Sequence, residues 1–222
     1  MKWRFAPDSG VDLRRVRRRA ARVALALAIL AAAAPALADP PTRVTIVAVF
    51  EPVTYGENAY VNGELFGTGQ AGQVVALEQS APPFTDWAPA AQTTTDAAGY
   101  YSFKLHPSQT LQYRTNAQGV FSERVVQVSV APRIRLKASP AGKSSIRFRG
   151  TFAPALVGQS VAIQRRNEGG SWTTIAGARL HDGKTFQGRV RAHRATMLRA
   201  LFAPDGAYTA ASSNAVHAAP RG

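Results

Sequence analysis

The sequence predicts an all-β protein made of two tandem antiparallel β-sandwiches behind a removable N-terminal leader. Three observations carry that expectation. Apolar residues alternate with polar ones at period 2 through most of the chain, as half-buried strands do. Clusters of Gly, Pro, Asn and Asp interrupt these runs about every 10 residues, the spacing of sandwiches and barrels. The strand pattern then occurs twice, in halves of about 90 residues each. With 222 residues, 45% of them hydrophobic and 18% charged, the chain is long enough for two cores and too apolar to be disordered. It has no cysteine, which excludes disulfides, a catalytic thiol and thiolate metal sites.

Residues 1–38 read as a secretory signal peptide. Lys2, Arg4, Arg14, Arg15, Arg17, Arg18, Arg19 and Arg22 form a basic start, and Val23 to Ala34 is an apolar run. Pro35 ends that run and Ala36-Leu37-Ala38 supplies small residues for cleavage after Ala38. The run is too short to span about 30 Å of hydrocarbon, so no transmembrane anchor is expected after cleavage. The arginine pairs fit the twin-arginine motif poorly, which favours the general export route. The expected location is secreted or extracellular, or periplasmic in a two-membrane cell.

After the leader, Val44, Ile46 and Ala48 alternate with Thr45 and Val47. Tyr101, Phe103 and Leu105 alternate with Ser102 and Lys104, and Val126, Val128 and Val130 with Gln127 and Ser129. In the second half, Ile134 and Leu136 alternate with Arg133, Arg135 and Lys137. Ile146 and Phe148 alternate with Ser145, Arg147 and Arg149. Gly72-Gln73-Val74-Val75-Ala76-Leu77-Glu78 aligns with Gly158-Gln159-Ser160-Val161-Ala162-Ile163-Gln164. Tyr113-Arg114 then aligns with Leu198-Arg199, and Ser122 with Ser213. The expected organisation is one sandwich over residues 39–131 and a second over 132–222. About seven short strands in each suit an immunoglobulin-like sandwich. One strand is expected to run from Arg124 through Ala131-Pro132 straight into the second half. With no Gly/Ser linker, Pro132 should stiffen the joint.

Thr95-Asp96-Ala97-Ala98-Gly99-Tyr100-Tyr101-Ser102-Phe103 has an Asp to open a turn and a Gly to close it. Alternating aromatics follow. This string resembles the turn of carboxypeptidase-regulatory-like and related bacterial immunoglobulin-like domains. The chain after residue 38 resembles a secreted bacterial tandem immunoglobulin-like repeat protein. The resemblance implies a fold and an extracytoplasmic setting, and brings no catalytic residues. The second half keeps only His181-Asp182-Gly183-Lys184-Thr185-Phe186 of the turn string.

Reactive constellations are missing from the sequence. His106, His181, His193 and His217 form neither HExxH nor a close pair. There is no Gly-x-Ser-x-Gly or Ser-x-x-Lys, and the acids are scattered. Asp86 and Asp96 read as turn residues rather than Ca²⁺ ligands, because that ion takes six or more oxygens. No metal or cofactor is expected, and the chain is read as a non-enzymatic binding or structural module. The alternative is an accessory module of a secreted hydrolase, or a weak hydrolase, acting on glycans. Two carboxylates about 5–10 Å apart in a cleft would favour it. Trp87 and Trp172 are candidate aromatic contacts for a partner, or else caps on the sandwich cores.

Charge separates the two halves. Residues 39–131 hold 4 basic and 8 acidic side chains, net −4, whereas residues 132–222 hold 15 basic and 3 acidic, net +12. Strand parity puts Arg133, Arg135, Lys137, Arg147, Arg149, Arg189 and Arg191 on one face. That face is the candidate polyanion-binding surface; an ordinary solvated face, in a chain with 22 Arg and 5 Lys, is the alternative. The partners expected are an anionic envelope polymer, a glycan or a protein. Nucleic acid is not expected, because its recognition motifs are absent.

Overall fold

The structure is a computed structural model that describes residues 40–221. The signal peptide and its cleavage after Ala38 lie outside the described residues. All regular elements among the described residues are strands, and none of their segments is a helix long and apolar enough to cross a membrane.

The first half contains β1 (Arg43–Val44), β2 (Val47–Val49), β3 (Val53–Thr54), β4 (Ala59–Phe66), β5 (Val74–Ser80) and β6 (Ala88–Thr94). It continues with β7 (Tyr100–Leu105), β8 (Leu111–Ala117), β9 (Val120–Phe121), β10 (Val126–Val128) and β11 (Val130–Ala131). One sheet places β4 between β7 and the pair β1 and β2; the other has the order β10-β8-β5-β6. Period-2 alternation turns Val44, Val61, Leu65, Tyr101 and Phe103 of the first sheet inward. They meet Val75, Leu77, Tyr113 and Val128 of the second in one buried core.

The second half repeats the plan with β12 (Arg133–Gly142), β13 (Ser145–Ala153), β14 (Ser160–Arg166) and β15 (Trp172–Arg179). It ends with β16 (Thr185–Arg191), β17 (Thr196–Phe202), β18 (Ala211–Ser212) and β19 (Val216–Ala218). Its sheets are β12-β13-β16 and β15-β14-β17, with β18 and β19 both on β17. Ile134, Leu136, Ile146, Phe148, Phe186 and Val190 of one sheet pack against Val161, Ile163, Leu198, Ala200 and Phe202 of the other. The protein is thus two tandem immunoglobulin-like β-sandwiches.

The repeat extends to atomic detail. Gly63 pairs with Tyr101, and Gly150 with Phe186, at the same place in each sheet. In both, the space a Cβ would take is filled by the aromatic ring and by a carbonyl of the leading strand. The Tyr101 hydroxyl donates to the Thr45 carbonyl and bonds the Thr115 hydroxyl. The second half has Phe186 and Ala200 at these positions, so the buried hydroxyl pair is lost together. That avoids an orphaned polar group. Ser122 and Ser213 also correspond: their hydroxyls accept from the Thr115 and Ala200 amides at 3.2 and 2.9 Å.

The continuous strand expected across residues 124–137 is not found. The chain pairs with β8 through Val128, breaks at Ser129, and then runs parallel to β3 as β11. The Val53 amide donates to the Ser129 carbonyl at 3.0 Å, and the Thr110 hydroxyl accepts from the Val130 amide at 3.1 Å. Changing partner satisfies backbone groups that a straight strand would leave unpaired at the sandwich end. After Pro132, β12 starts the next sheet at once.

The joint between the halves is hydrogen-bonded. The loop between β17 and β18 accepts from the Thr110 amide through Ala207 O at 2.8 Å and donates from Thr209 N to Val130 O at 2.9 Å. The Tyr208 hydroxyl donates to the Ser108 carbonyl at 2.9 Å, and its side chain packs against both cores. Burial raises the Tyr208 phenol above its ordinary pKa, helped by Tyr55 and Asp205.

Candidate functional site: a cationic sheet and the cleft at its end

Register arranges the sequence-predicted cations. Lys137 lies opposite Arg149 across β12 and β13. Arg147 lies opposite Arg189, and Ser145 opposite Arg191, across β13 and β16. Arg135 faces Thr151, and Arg133 faces Ala153. The inward neighbours Ile134, Leu136, Ile146, Phe148 and Val190 are buried, so the alternating cations project outward. Arg135, Lys137, Arg147, Arg149, Arg189 and Arg191 are exposed. Arg133 departs from the expectation of seven freely solvated cations. It is half-buried at the joint, with its guanidinium 3.5 Å from the Glu57 carboxylate.

Two like-charge pairs, Lys137–Arg149 and Arg147–Arg189, therefore stand directly opposite each other. No Asp or Glu occurs in β12, β13 or β16. Directly opposed like charges on a sheet are destabilising. The fold does not demand them: Tyr60 and Asn62 stand in the first half where Arg147 and Arg149 stand in the second. There Asn62 accepts a hydrogen bond from Ser102 at 2.8 Å.

Beyond Arg191 the sheet opens into a cleft of about 740 Å³. The end of β14 lines it with Arg165 and Arg166, and the turn that follows adds Glu168; the segment after β16 adds His193 and Arg194. His217 comes from β19. Arg194 reaches Glu168 at 2.8 Å, an ion pair about 80% solvent-exposed on both sides and therefore weak. The Ala192 amide donates to Ser144 O at 3.0 Å, which ties this segment to the turn between β12 and β13. Sequence reasoning missed the cleft because its walls come from three separate parts of the chain.

Trp87 and Trp172 belong to neither core, which corrects the core-cap alternative. Each is half-buried on the outer side of the β5- or β14-containing sheet. The Arg114 guanidinium lies 4.4 Å from the Trp87 ring centroid and 4.4 Å from that of Phe121. Arg199 lies 4.3 Å from that of Trp172. Arg114 Nε donates to Glu78 at 2.6 Å, and Arg199 Nε to Gln164 at 2.8 Å. These rings are held by their own arginines, and Trp172 lies on the opposite sheet from the cations. Trp172→Ala is accordingly expected to cost about 1–2 kcal/mol of stability and to leave retention on an anionic polymer unchanged. Thermal melts alongside salt elution from heparin check both; reduced retention would return Trp172 to the contact surface.

His181 and Asp182 sit 3.4 Å apart in a turn with both side chains more than 80% exposed. Asp96 Oδ1 accepts from the Ala98 and Tyr100 amides, each at 2.9 Å, the turn role that the sequence assigns it.

No protein-family model matches this sequence, and no curated protein is significantly similar to it. Among solved structures, the chain is similar to a tetra-tandem repeat in the extending region of a large adhesion protein, at 16% identity and a TM-score of 0.37. The match covers 80% of this chain and 48% of that one, so this chain spans about half the length of that structure.

Proposed function

We propose that the protein is a non-enzymatic binding module of the cell surface or extracellular space, and that it holds an anionic envelope polymer or acidic glycan against the β12-β13-β16 sheet. The observation that carries this reading is the pair of opposed like charges, Lys137–Arg149 and Arg147–Arg189, on strands without an acid. A bound polyanion offsets their mutual repulsion by its attraction to each of them. The leader-like N-terminus and the resemblance to secreted bacterial immunoglobulin-like repeats support the location. The cleft lining holds a single carboxylate, Glu168, whereas paired-carboxylate glycoside hydrolysis needs two.

The test is Arg147→Ser with Arg149→Ser in the chain from residue 39 onward. The double variant should elute from heparin at clearly lower salt. Its dependence of log affinity on log salt should become shallower by about 0.7–0.9 per lost ionic contact, as for other linear polyanions. Its melting temperature should hold or rise slightly, because both positions are exposed and the substitutions remove two opposed like-charge pairs. Unchanged elution at low ionic strength would overturn the reading.

A further inference from the structure

The seven cations form a diagonal rather than a patch. Taken row by row from the joint, the first two rows hold Arg133 and Arg135 on β12. The third holds Lys137 with Arg149, the fourth Arg147 with Arg189, and the fifth Arg191 on β16. Charge thus steps from the first strand of the sheet to the third as it moves along it. Rows two residues apart are separated by about 6.7 Å and neighbouring strands by about 4.8 Å, so the diagonal is about 30 Å long. It does not stop at the sheet edge. Arg191 ends β16, and the next residues, Ala192 to Arg194, form one wall of the cleft that holds Arg165 and Arg166.

We infer that the ligand is a single extended acidic polysaccharide chain, lying along this diagonal with one end seated in the cleft. This inference rests on the proposed polyanion-binding function and specifies its ligand and path. A narrow line of charge, one or two cations per row, matches a linear polymer with charges on successive units. Guanidinium groups predominate, six Arg to one Lys, and these pair bidentately with carboxylate and sulfate oxygens. The outward positions of the three strands carry no aromatic residue. Single-stranded nucleic acid is bound by stacking bases on such residues, so the surface favours sugars over bases. In the cleft, Glu168 occupies Arg194 in a solvent-exposed ion pair. An incoming carboxylate or sulfate displaces that weak pair and takes Arg194 together with Arg165 and Arg166.

The probes are heparin-derived oligosaccharides of graded length, polygalacturonate and single-stranded DNA, titrated against the chain from residue 39 onward. Affinity for the oligosaccharides should climb with length up to about the 30 Å diagonal plus the cleft and then level off. Arg165→Ser with Arg166→Ser should weaken long oligosaccharides about tenfold and leave short ones unaffected. Glu168→Gln should do the reverse and strengthen long ones about threefold, a gain that misfolding cannot produce. Polygalacturonate behaving like heparin identifies the carboxylate as sufficient; binding of heparin alone identifies sulfate. Preferential binding of single-stranded DNA overturns the choice of polysaccharide. If Arg147→Ser with Arg149→Ser abolishes binding while the cleft variants change nothing at any length, the path into the cleft is wrong and the sheet reading survives. If neither set has any effect, both fail.

Discussion

Gly150→Ala is expected to destabilise the second sandwich by about 2–3 kcal/mol, at the upper end of what overpacking costs. Gly150 lies in the middle of β13 with Phe186 opposite on β16. An added Cβ would sit 2.5 Å from the Arg135 carbonyl oxygen and closer still to the Phe186 ring. The ring can be trimmed but the carbonyl cannot move without breaking the ladder. Phe186→Leu in the same chain should therefore recover only part of the loss. Gly177 on β15 is the control: nothing lies within 4 Å of its Cβ position, so Gly177→Ala should be neutral or slightly stabilising. Calorimetric melts of the three variants decide it. A Gly150→Ala protein that melts with the native one would show that the ring-over-glycine packing is not the constraint on this sheet. Gly63 stands under Tyr101 in the first sandwich in the same way, and the same result is expected there.

Tyr208→Ala should cost about 2 kcal/mol, less than a fully buried aromatic truncation, and should loosen the coupling between the halves. The side chain touches both cores and its hydroxyl bonds the Ser108 carbonyl at 2.9 Å. With the ring gone, the backbone bonds from Thr110 to Ala207 and from Thr209 to Val130 are left in an unfilled joint. A single unfolding transition should then broaden or split into two. Tyr208→Phe, which keeps the packing and drops one hydrogen bond, should lose only about 1 kcal/mol. Unchanged cooperativity in Tyr208→Ala would mean that Pro132 and the backbone bonds hold the joint without the ring.

Local pattern determined much of this protein. Side chains alternate across a strand with period 2 whatever the partner, so Arg147 and Arg149 had to share a face once Ile146 and Phe148 were buried. The same parity put Arg189 and Arg191 opposite Val190. The tandem repeat was equally legible, because Gly63 and Gly150, Arg114 and Arg199, and Ser122 and Ser213 each perform one local task that tolerates few residues. Pairing was not legible. Alternation says which face a residue takes but not which residue it meets on the next strand, since register is set by contacts between residues far apart in sequence. The diagonal from Arg133 to Arg191 exists only through that register. The break at Ser129, where the chain leaves β8 for β3, reflects a backbone partner supplied 76 residues earlier at Val53. The cleft gathers Arg165, Arg194 and His217 from three separate parts of the chain, and no pattern within any one of them records the others. Trp87 and Trp172 lie outside the cores for the same reason: the arginines that cover them come from β8 and β17, and only the folded sheets bring them together.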